Sequence, residues 1–200
     1  ATHGYAEVLA ELKAPEQLSG KKAAIVGGGP AGMAAAHFLA RGGVEVTIFE
    51  KKDSLGGVLS HIVPEFRVPQ EIVDKDTAMM MAFGVKVELG SEIKDVKKLK
   101  DSGFDYVLLA VGAQAPGILQ LDGGETVNAI DFLEECRKNG GNASVGKNVV
   151  VIGGGNTAMD TSRAAKRAKG VENVYLVYRR TKRYMPADEE ELELALADQV

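Results

Sequence analysis

The stretch Lys22-Ala23-Ala24-Ile25-Val26-Gly27-Gly28-Gly29-Pro30-Ala31-Gly32 decides the fold. A short apolar run enters three glycines in a row, and a small-residue helical stretch follows. That order opens a βαβ unit. Gly27 permits the tight turn out of the strand, Gly29 lets the backbone approach an anion, and Gly32 lets the helix lie close on the strand. Pro30 fits the first helical turn, where its missing N–H costs nothing. The unpaired N–H groups and dipole at the helix start favour a phosphate. The helix is expected over 30–41 and ends at Gly42-Gly43. A β-branched and aromatic strand follows over 44–49. Glu50 ends that strand 18 residues past Gly32, near the ~20 at which an acid meets a ribose hydroxyl.

The pattern returns further along. A strand over 148–152 runs into Gly153-Gly154-Gly155-Asn156-Thr157-Ala158, the G-x-G-x-x-A variant. A helix over 156–169, a stop at Gly170 and a strand over 173–178 complete it. Where the first copy ends in Glu50, the second ends in Arg179-Arg180. A carboxylate accepts hydrogen bonds from a ribose diol and repels a 2′-phosphate, whereas a guanidinium fork suits phosphate oxygens. The first copy therefore reads as an FAD site and the second as a site for NADPH in preference to NADH. Solvated surface charge is the other reading of the two arginines.

Length and composition fit one ordinary globular domain or two small ones. Apolar residues make up 45% and charged residues 26% of 200 residues, so the chain has enough apolar surface to bury. The 24 glycines cluster at turns. A net charge of −4 gives no basis for binding nucleic acid or an anionic membrane. The uncharged run 23–40 is broken by its glycine turn and is not a membrane span. No signal-peptide pattern opens the chain, so a cytoplasmic location is expected. The single Cys136 leaves no internal disulfide, no Cys-x-x-Cys pair and no four-cysteine cluster site.

The rest of the chain supports an α/β reading. Residues 1–20 form a helical lead-in. A helix is expected over 71–83 and a strand over 85–89. The Lys94, Lys97, Lys98 and Lys100 run reads as the solvated face of a short helix. The near-continuous apolar run 104–111 reads as a buried parallel strand. Pro116, Gly117 and Gly123-Gly124 mark a crossover with a helix over 129–137, and a final helix follows Pro186. The boundaries expected are 21–118 for the first domain, 119–147 for the linker and 148–200 for the second domain. His37 reads as packing, His61 as a loop residue beside the first site, Asp160 as a helix-dipole acid, and Met79 to Met81 as core filler.

Gly27 to Gly32, Glu50, Leu55-Gly56-Gly57-Val58-Leu59, the 106–113 strand ending Ala110-Val111-Gly112-Ala113, Gly153 to Asp160, and Tyr178-Arg179-Arg180 with Met185-Pro186-Ala187 resemble the glutamate synthase small-subunit family. That group includes the flavin module of dihydropyrimidine dehydrogenases. The 57–67 segment looks most like selenate reductase subunits. The resemblance spans about 20–200 and implies a Rossmann-like FAD domain followed by the start of a Rossmann-like NAD(P) domain, of the glutathione-reductase two-dinucleotide type. By position it implies FAD contacts at Gly27, Gly29, Pro30, Ala31, Gly32, Glu50, Gly56, Gly57, Val58 and Leu59. Lys51 is counted with them, although surface charge is its plainer role. Val87 would lie near the adenine, and Ala110 and Gly112 along the flavin's path. Gly153, Gly155, Asn156, Thr157, Arg179 and Arg180 would hold NADPH.

The resemblance further implies a flavin-dependent NADPH oxidoreductase that sends electrons to iron–sulfur clusters, with iron–sulfur and substrate-reducing domains or subunits as partners. No cluster ligands and no acid–base catalyst stand out within these 200 residues. The chain therefore reads as a truncated piece of a longer polypeptide, which alone would hold FAD weakly and be inactive. Two other classes remain open: a non-catalytic dinucleotide-binding scaffold, and a simple nicotinamide dehydrogenase that would leave the first glycine turn redundant.

Overall fold

Residues 4–13, 15, 20–113, 115, 117 and 119–200 are described in a computed structural model. The remainder of the expected lead-in, and Pro116 with the expected boundary at 118, lie outside them. In chain order the elements are α1 (Tyr5–Glu11), β1 (Lys22–Val26), α2 (Pro30–Arg41), β2 (Glu45–Phe49), α3 (Val58–His61), α4 (Gln70–Met81), β3 (Lys86–Glu88), α5 (Val96–Asp101) and β4 (Tyr106–Leu109). They continue as α6 (Ala129–Lys138), β5 (Asn148–Ile152), α7 (Asn156–Arg167), β6 (Asn173–Val177), a 3-10 turn at Lys182–Tyr184, and α8 (Glu189–Ala197). The chain divides into two compact units, one of Ala1–Ser60 with Val68–Gln114, the other of His61–Arg67 with Ala115–Val200.

The first unit is a four-stranded parallel sheet in the order β3-β2-β1-β4. Ala23, Ala24, Ile25 and Val26 of the central β1 are all buried, as a strand covered on both faces requires. On one face Ile25, Val46 and Ile48 pack with Met33 and Ala36 of α2 and Met80 of α4. On the other, Ala24 and Val26 pack with Leu99 of α5, and Phe49 meets Phe104 edge to face with centroids 5.9 Å apart. Close approach of α2 to β1 depends on Gly32, because a Cβ there would stand 2.0 Å from the Gly27 carbonyl oxygen.

The second unit has β5 and β6 in parallel, with Val151 and Val174 buried against Ala158 and Ala165 of α7 and Phe132, Leu133 and Cys136 of α6. Burial pushes the Cys136 thiol up to about 11, with help from the Glu135 charge, so it is an inert core residue. The short segment His61–Arg67 belongs to this unit. Ile62 enters its core, Arg137 Nη1 donates to the Val63 carbonyl at 3.1 Å, and the Phe66 ring lies under Arg163 and Arg167 at 4.7 and 4.4 Å. Arg67 Nε donates to Asp160 Oδ1 at 2.7 Å, and its Nη2 donates to Glu191. Asp198 closes the cluster by accepting from Arg163 and Arg167.

Several expectations are corrected. The 104–111 run forms a parallel strand, but it lies at the sheet edge. Tyr106, Leu109 and Val111 are 59%, 58% and 61% exposed, because among the described residues only β1 flanks the strand, and the packing around Leu99 of α5 reaches Phe104 and Val107 but not Tyr106 on the other face or Leu109 and Val111 further along. Of the three methionines only Met80 is core, and Met81 is half exposed. Asp160 is a partner of Arg67 rather than a bare dipole acid. The short α3 carries no period long enough to read, and α7 stops at Arg167 because Ala168 turns extended. His37 packs edge-on to Phe38 and Phe83, as expected.

Candidate functional site

The carboxyl ends of β1, β2 and β4 meet the start of α2 around a cleft of about 470 Å³. Ligands of open parallel sheets bind at this kind of position. Of the residues expected at the first site, Gly27, Gly29, Pro30, Ala31, Glu50, Lys51, Gly57, Val58, Ala110 and Gly112 line it. The α2 N-terminus carries no side-chain cap, so its first-turn N–H groups are left for a ligand. Gly57 has φ of +54° and a Cβ there would come within 2.7 Å of Gly29 Cα. The two glycines thus press the 55–58 loop against the turn and keep the floor of the cleft bare of side chains. This cradle fits a pyrophosphate.

Glu50 forms the far wall. It is 7% exposed, and both of its oxygens are held by backbone: Oε2 accepts from Gly28 N at 2.6 Å and Oε1 from Lys52 N at 2.8 Å. Each oxygen keeps a lone pair for a ribose hydroxyl. Lys51 is exposed beside it.

Four expected residues lie elsewhere. Gly32 and Gly56 act in packing, since a Cβ on Gly56 would strike Ser60 Oγ at 2.0 Å. Leu59 faces a separate apolar hollow between α2 and α4. Val87 pairs with Ile48 and packs on the core. The wall assigned to Val87 is instead built by Ser91, Glu92 and Ile93. Backbone bonds Gly90 N to Lys52 O and Ser91 N to Glu50 O, of 2.9 and 2.8 Å, extend the β2–β3 pairing past the strand ends. The only signal for these residues was that 50–52 must continue alongside whatever follows β3.

The second glycine turn is built alike, and α7 also starts without a side-chain cap. Gly27 N donates to Phe49 O, and Gly153 N donates to Val177 O. This shared bond sets the correspondence: Phe49 matches Val177, Glu50 matches Tyr178, and Lys51 matches Arg179. The sequence comparison is thereby corrected by one residue. The acid's place holds an aromatic ring, and the arginines come next. A Cβ on Gly154 would stand 2.5 Å from the Tyr178 ring, so the ring lies on the turn as Glu50 lies on Gly28.

Arg179, Arg180 and Arg183 are exposed and make no hydrogen bond or ion pair among the described residues. Asn156 is committed elsewhere. Its Nδ2 donates to Asp188 Oδ2 at 2.8 Å, and its Oδ1 accepts from Asp188 N at 3.0 Å. Ala187 N donates to the Gly154 carbonyl at 2.9 Å. Gly153, Gly155 and Thr157 stand at the turn and helix start, and Thr157 is exposed. The second turn thus repeats the backbone of the first, with Pro186 and Asp188 drawn up beside its helix start.

Residues 21–200 match the family described as pyridine nucleotide-disulphide oxidoreductase. The chain belongs to that family. Over 180 residues it is 46% identical to YgfK of Escherichia coli, a protein named by oxidoreductase class alone. The match covers 88% of this chain and 17% of the relative. It is 33% identical over 192 residues to the glutamate synthase [NADPH] small chain of Escherichia coli, covering 88% of this chain and 40% of that one. The glutamate synthase small-subunit resemblance therefore holds. The fold matches Mycobacterium tuberculosis FprA, solved in complex with NADPH, with a TM-score of 0.72, 22% identity, and coverage of 89% of this chain and 47% of FprA. The chain spans between 17% and 42% of the length of these and other curated relatives. Among the described residues no helix is long and apolar enough to cross a membrane, and no group of His, Cys, Asp and Glu is placed to hold a metal ion.

Proposed function

We propose that this chain is the flavin and nicotinamide module of a cytoplasmic NADPH-dependent electron-transfer oxidoreductase. FAD lies on the first glycine turn, NADPH on the second, and iron–sulfur domains or subunits accept the electrons. One observation carries the reading: the same turn occurs twice with a different residue lying against its middle glycine. In the first copy it is Glu50. In the second it is Tyr178, followed by two unpaired arginines.

The cofactors supply the hydride chemistry, and the chain's residues bind and orient them. Gly29, Gly57 and the bare start of α2 would hold the FAD pyrophosphate, and Glu50 its adenosine ribose. Gly153, Gly155 and the start of α7 would hold the NADPH pyrophosphate, with Arg179 and Arg180 on the 2′-phosphate. Asn156 supports this site by fixing Asp188 at the head of α8. In this reading the FAD part runs over 21–118 and the NADPH part over 148–200, and the 119–147 crossover between them lends α6 to the core of the second unit.

The test is the visible spectrum of the intact polypeptide. Flavin bands that bleach when NADPH is added without oxygen are the expected result. A protein that stays colourless after FAD is supplied would instead be a dinucleotide-binding scaffold. Replacing Arg179 and Arg180 with neutral residues is expected to weaken NADPH far more than NADH, and equal losses would remove the arginines from phosphate recognition.

A further inference from the structure

Arg179, Arg180 and Arg183 sit on one loop that crosses from the end of β6 to the start of α8. Long exposed cationic side chains on a loop lose entropy when they converge on one phosphate. Such a loop selects well only if its backbone is already in place. The loop is pinned at both ends. At its far end Ala187 N bonds the Gly154 carbonyl, and Asp188 is clasped by Asn156. At its near end Tyr178 does two things. Its ring rests on Gly154, where a Cβ would come within 2.5 Å, and its hydroxyl donates to the Tyr184 carbonyl at 2.7 Å. That bond draws the 3-10 turn at Lys182–Tyr184, and Arg183 with it, back over the glycine turn.

From this geometry we infer that Tyr178 is a positioning residue for nicotinamide selectivity: it holds the arginine loop on the glycine turn and so sets the preference for the 2′-phosphorylated dinucleotide. The inference rests on the second turn being the NADPH site. Tyr178 acts twice, by its identity and by its bond. An aromatic ring in the place of Glu50 removes the carboxylate that would repel a 2′-phosphate. The hydroxyl ties the middle of the loop to the residue lying on the glycine turn, whereas the other bonds there are local or run to α8: Tyr184 N to Thr181 O, Met185 N to Lys182 O and Lys182 to Glu189. The ring also explains Gly154. Any larger residue there would push the ring and the loop off the turn, although the backbone at that position needs no special φ.

The experiment uses the intact polypeptide and isothermal titration with NADP+ and NAD+, which do not reduce the flavin. Tyr178→Phe keeps the ring and deletes only the hydroxyl. The NADP+ Kd is expected to rise roughly fivefold, the equilibrium worth of one ordinary hydrogen bond, and by several-fold more than the NAD+ Kd. Gly154→Ala, which displaces the ring by a different route, is expected to reduce the same ratio. FAD content serves as the control for folding, since a general structural defect would lower it and would weaken both dinucleotides together. Equal weakening of NADP+ and NAD+ in Tyr178→Phe, or an unchanged ratio, overturns the inference while leaving the NADPH site standing. A wild-type protein with no preference for NADP+ overturns the NADPH reading itself, and that outcome appears before any variant is made.

Discussion

Gly29 and Gly32 stand three residues apart in one turn, and an added methyl group would act differently at each. At Gly32 it would lie 2.0 Å from the Gly27 carbonyl oxygen, with α2 unable to retreat without unpacking Met33 and Ala36 from the sheet. Gly32→Ala is expected to destabilise the first unit by about 3 kcal/mol, the upper end of ordinary overpacking. At Gly29 the nearest atom is 3.8 Å away and φ is −76°, so the folded chain accepts the methyl group. It would stand where a pyrophosphate must approach the backbone. Gly29→Ala is therefore expected to melt within about 1 kcal/mol of wild type while FAD affinity falls at least tenfold. Thermal unfolding and flavin content of the two variants separate the roles, and normal flavin content in Gly29→Ala would move the anion site away from this turn.

At the scale of elements, α7 and α8 are held by two aspartates with opposite electrostatics. The Arg167 and Arg163 guanidinium groups hold Asp198 below the usual carboxylate range, whereas burial pushes Asp160 up against the lowering effect of Arg67. A lowered folded pKa stabilises above the unfolded value, and that stability is lost as pH falls through the folded value. A raised one makes ionisation oppose folding as pH rises through it. Asp198→Asn is expected to cost about 2 kcal/mol near pH 7, the scale of a hydrogen bond to a charged group. Its difference from wild type should shrink in acid, where Asp198 is protonated in any case. Asp160→Asn keeps an acceptor for Arg67 and relieves a buried charge, so it is expected to cost under about 1 kcal/mol. Urea unfolding followed from pH 7 downward, through the lowered folded range of Asp198, checks both. None of this was legible in the sequence. The strands and helices of both glycine turns were, because apolar runs, Gly-x-Gly spacing and the stop at Gly42-Gly43 are local signals, although α7 ends before its expected stop at Gly170. Gly27, Gly29, Pro30, Ala31 and Glu50, which follow from those signals, and Gly57 and Gly112, which only the family resemblance implied, all line one cleft. Ser91 to Ile93 and Tyr178 did not stand out, because their places depend on register between strands distant in sequence. The exposure of Tyr106 and Leu109 was hidden for a related reason, since an apolar run does not say which strand is the edge.

On the scale of the whole chain, the first unit is interrupted by seven residues that belong to the second. His61–Arg67 leaves after α3, contributes Ile62, Phe66 and Arg67 to the second unit, and the chain returns to form α4. The second unit is thus not a contiguous stretch of sequence, and its helices α7 and α8 depend on a cation donated from between two elements of the first. Asp160 and Glu191 are each 13% exposed at the side chain and both bind Arg67. Arg163 approaches Glu191 only at 4.0 Å. Arg67 is itself 29% exposed, so removing it leaves two partly buried carboxylates with only Arg163 nearby, at a cost of about 2 kcal/mol, between that of an exposed and a fully buried pair. Arg67→Ala is expected to show that loss locally. In hydrogen exchange followed by mass spectrometry, peptides from α7 and α8 should exchange faster, while β1, β2 and β4 keep the protection of wild type. Arg67→Lys, which restores a charge but not the two-pronged geometry, should recover only part of the difference. Uniform faster exchange throughout the chain would mean that the segment supports both units alike. An unchanged α8 would mean that Arg163 replaces Arg67 at Glu191, and that Ile62, Phe66 and the Arg137–Val63 bond suffice to hold the segment.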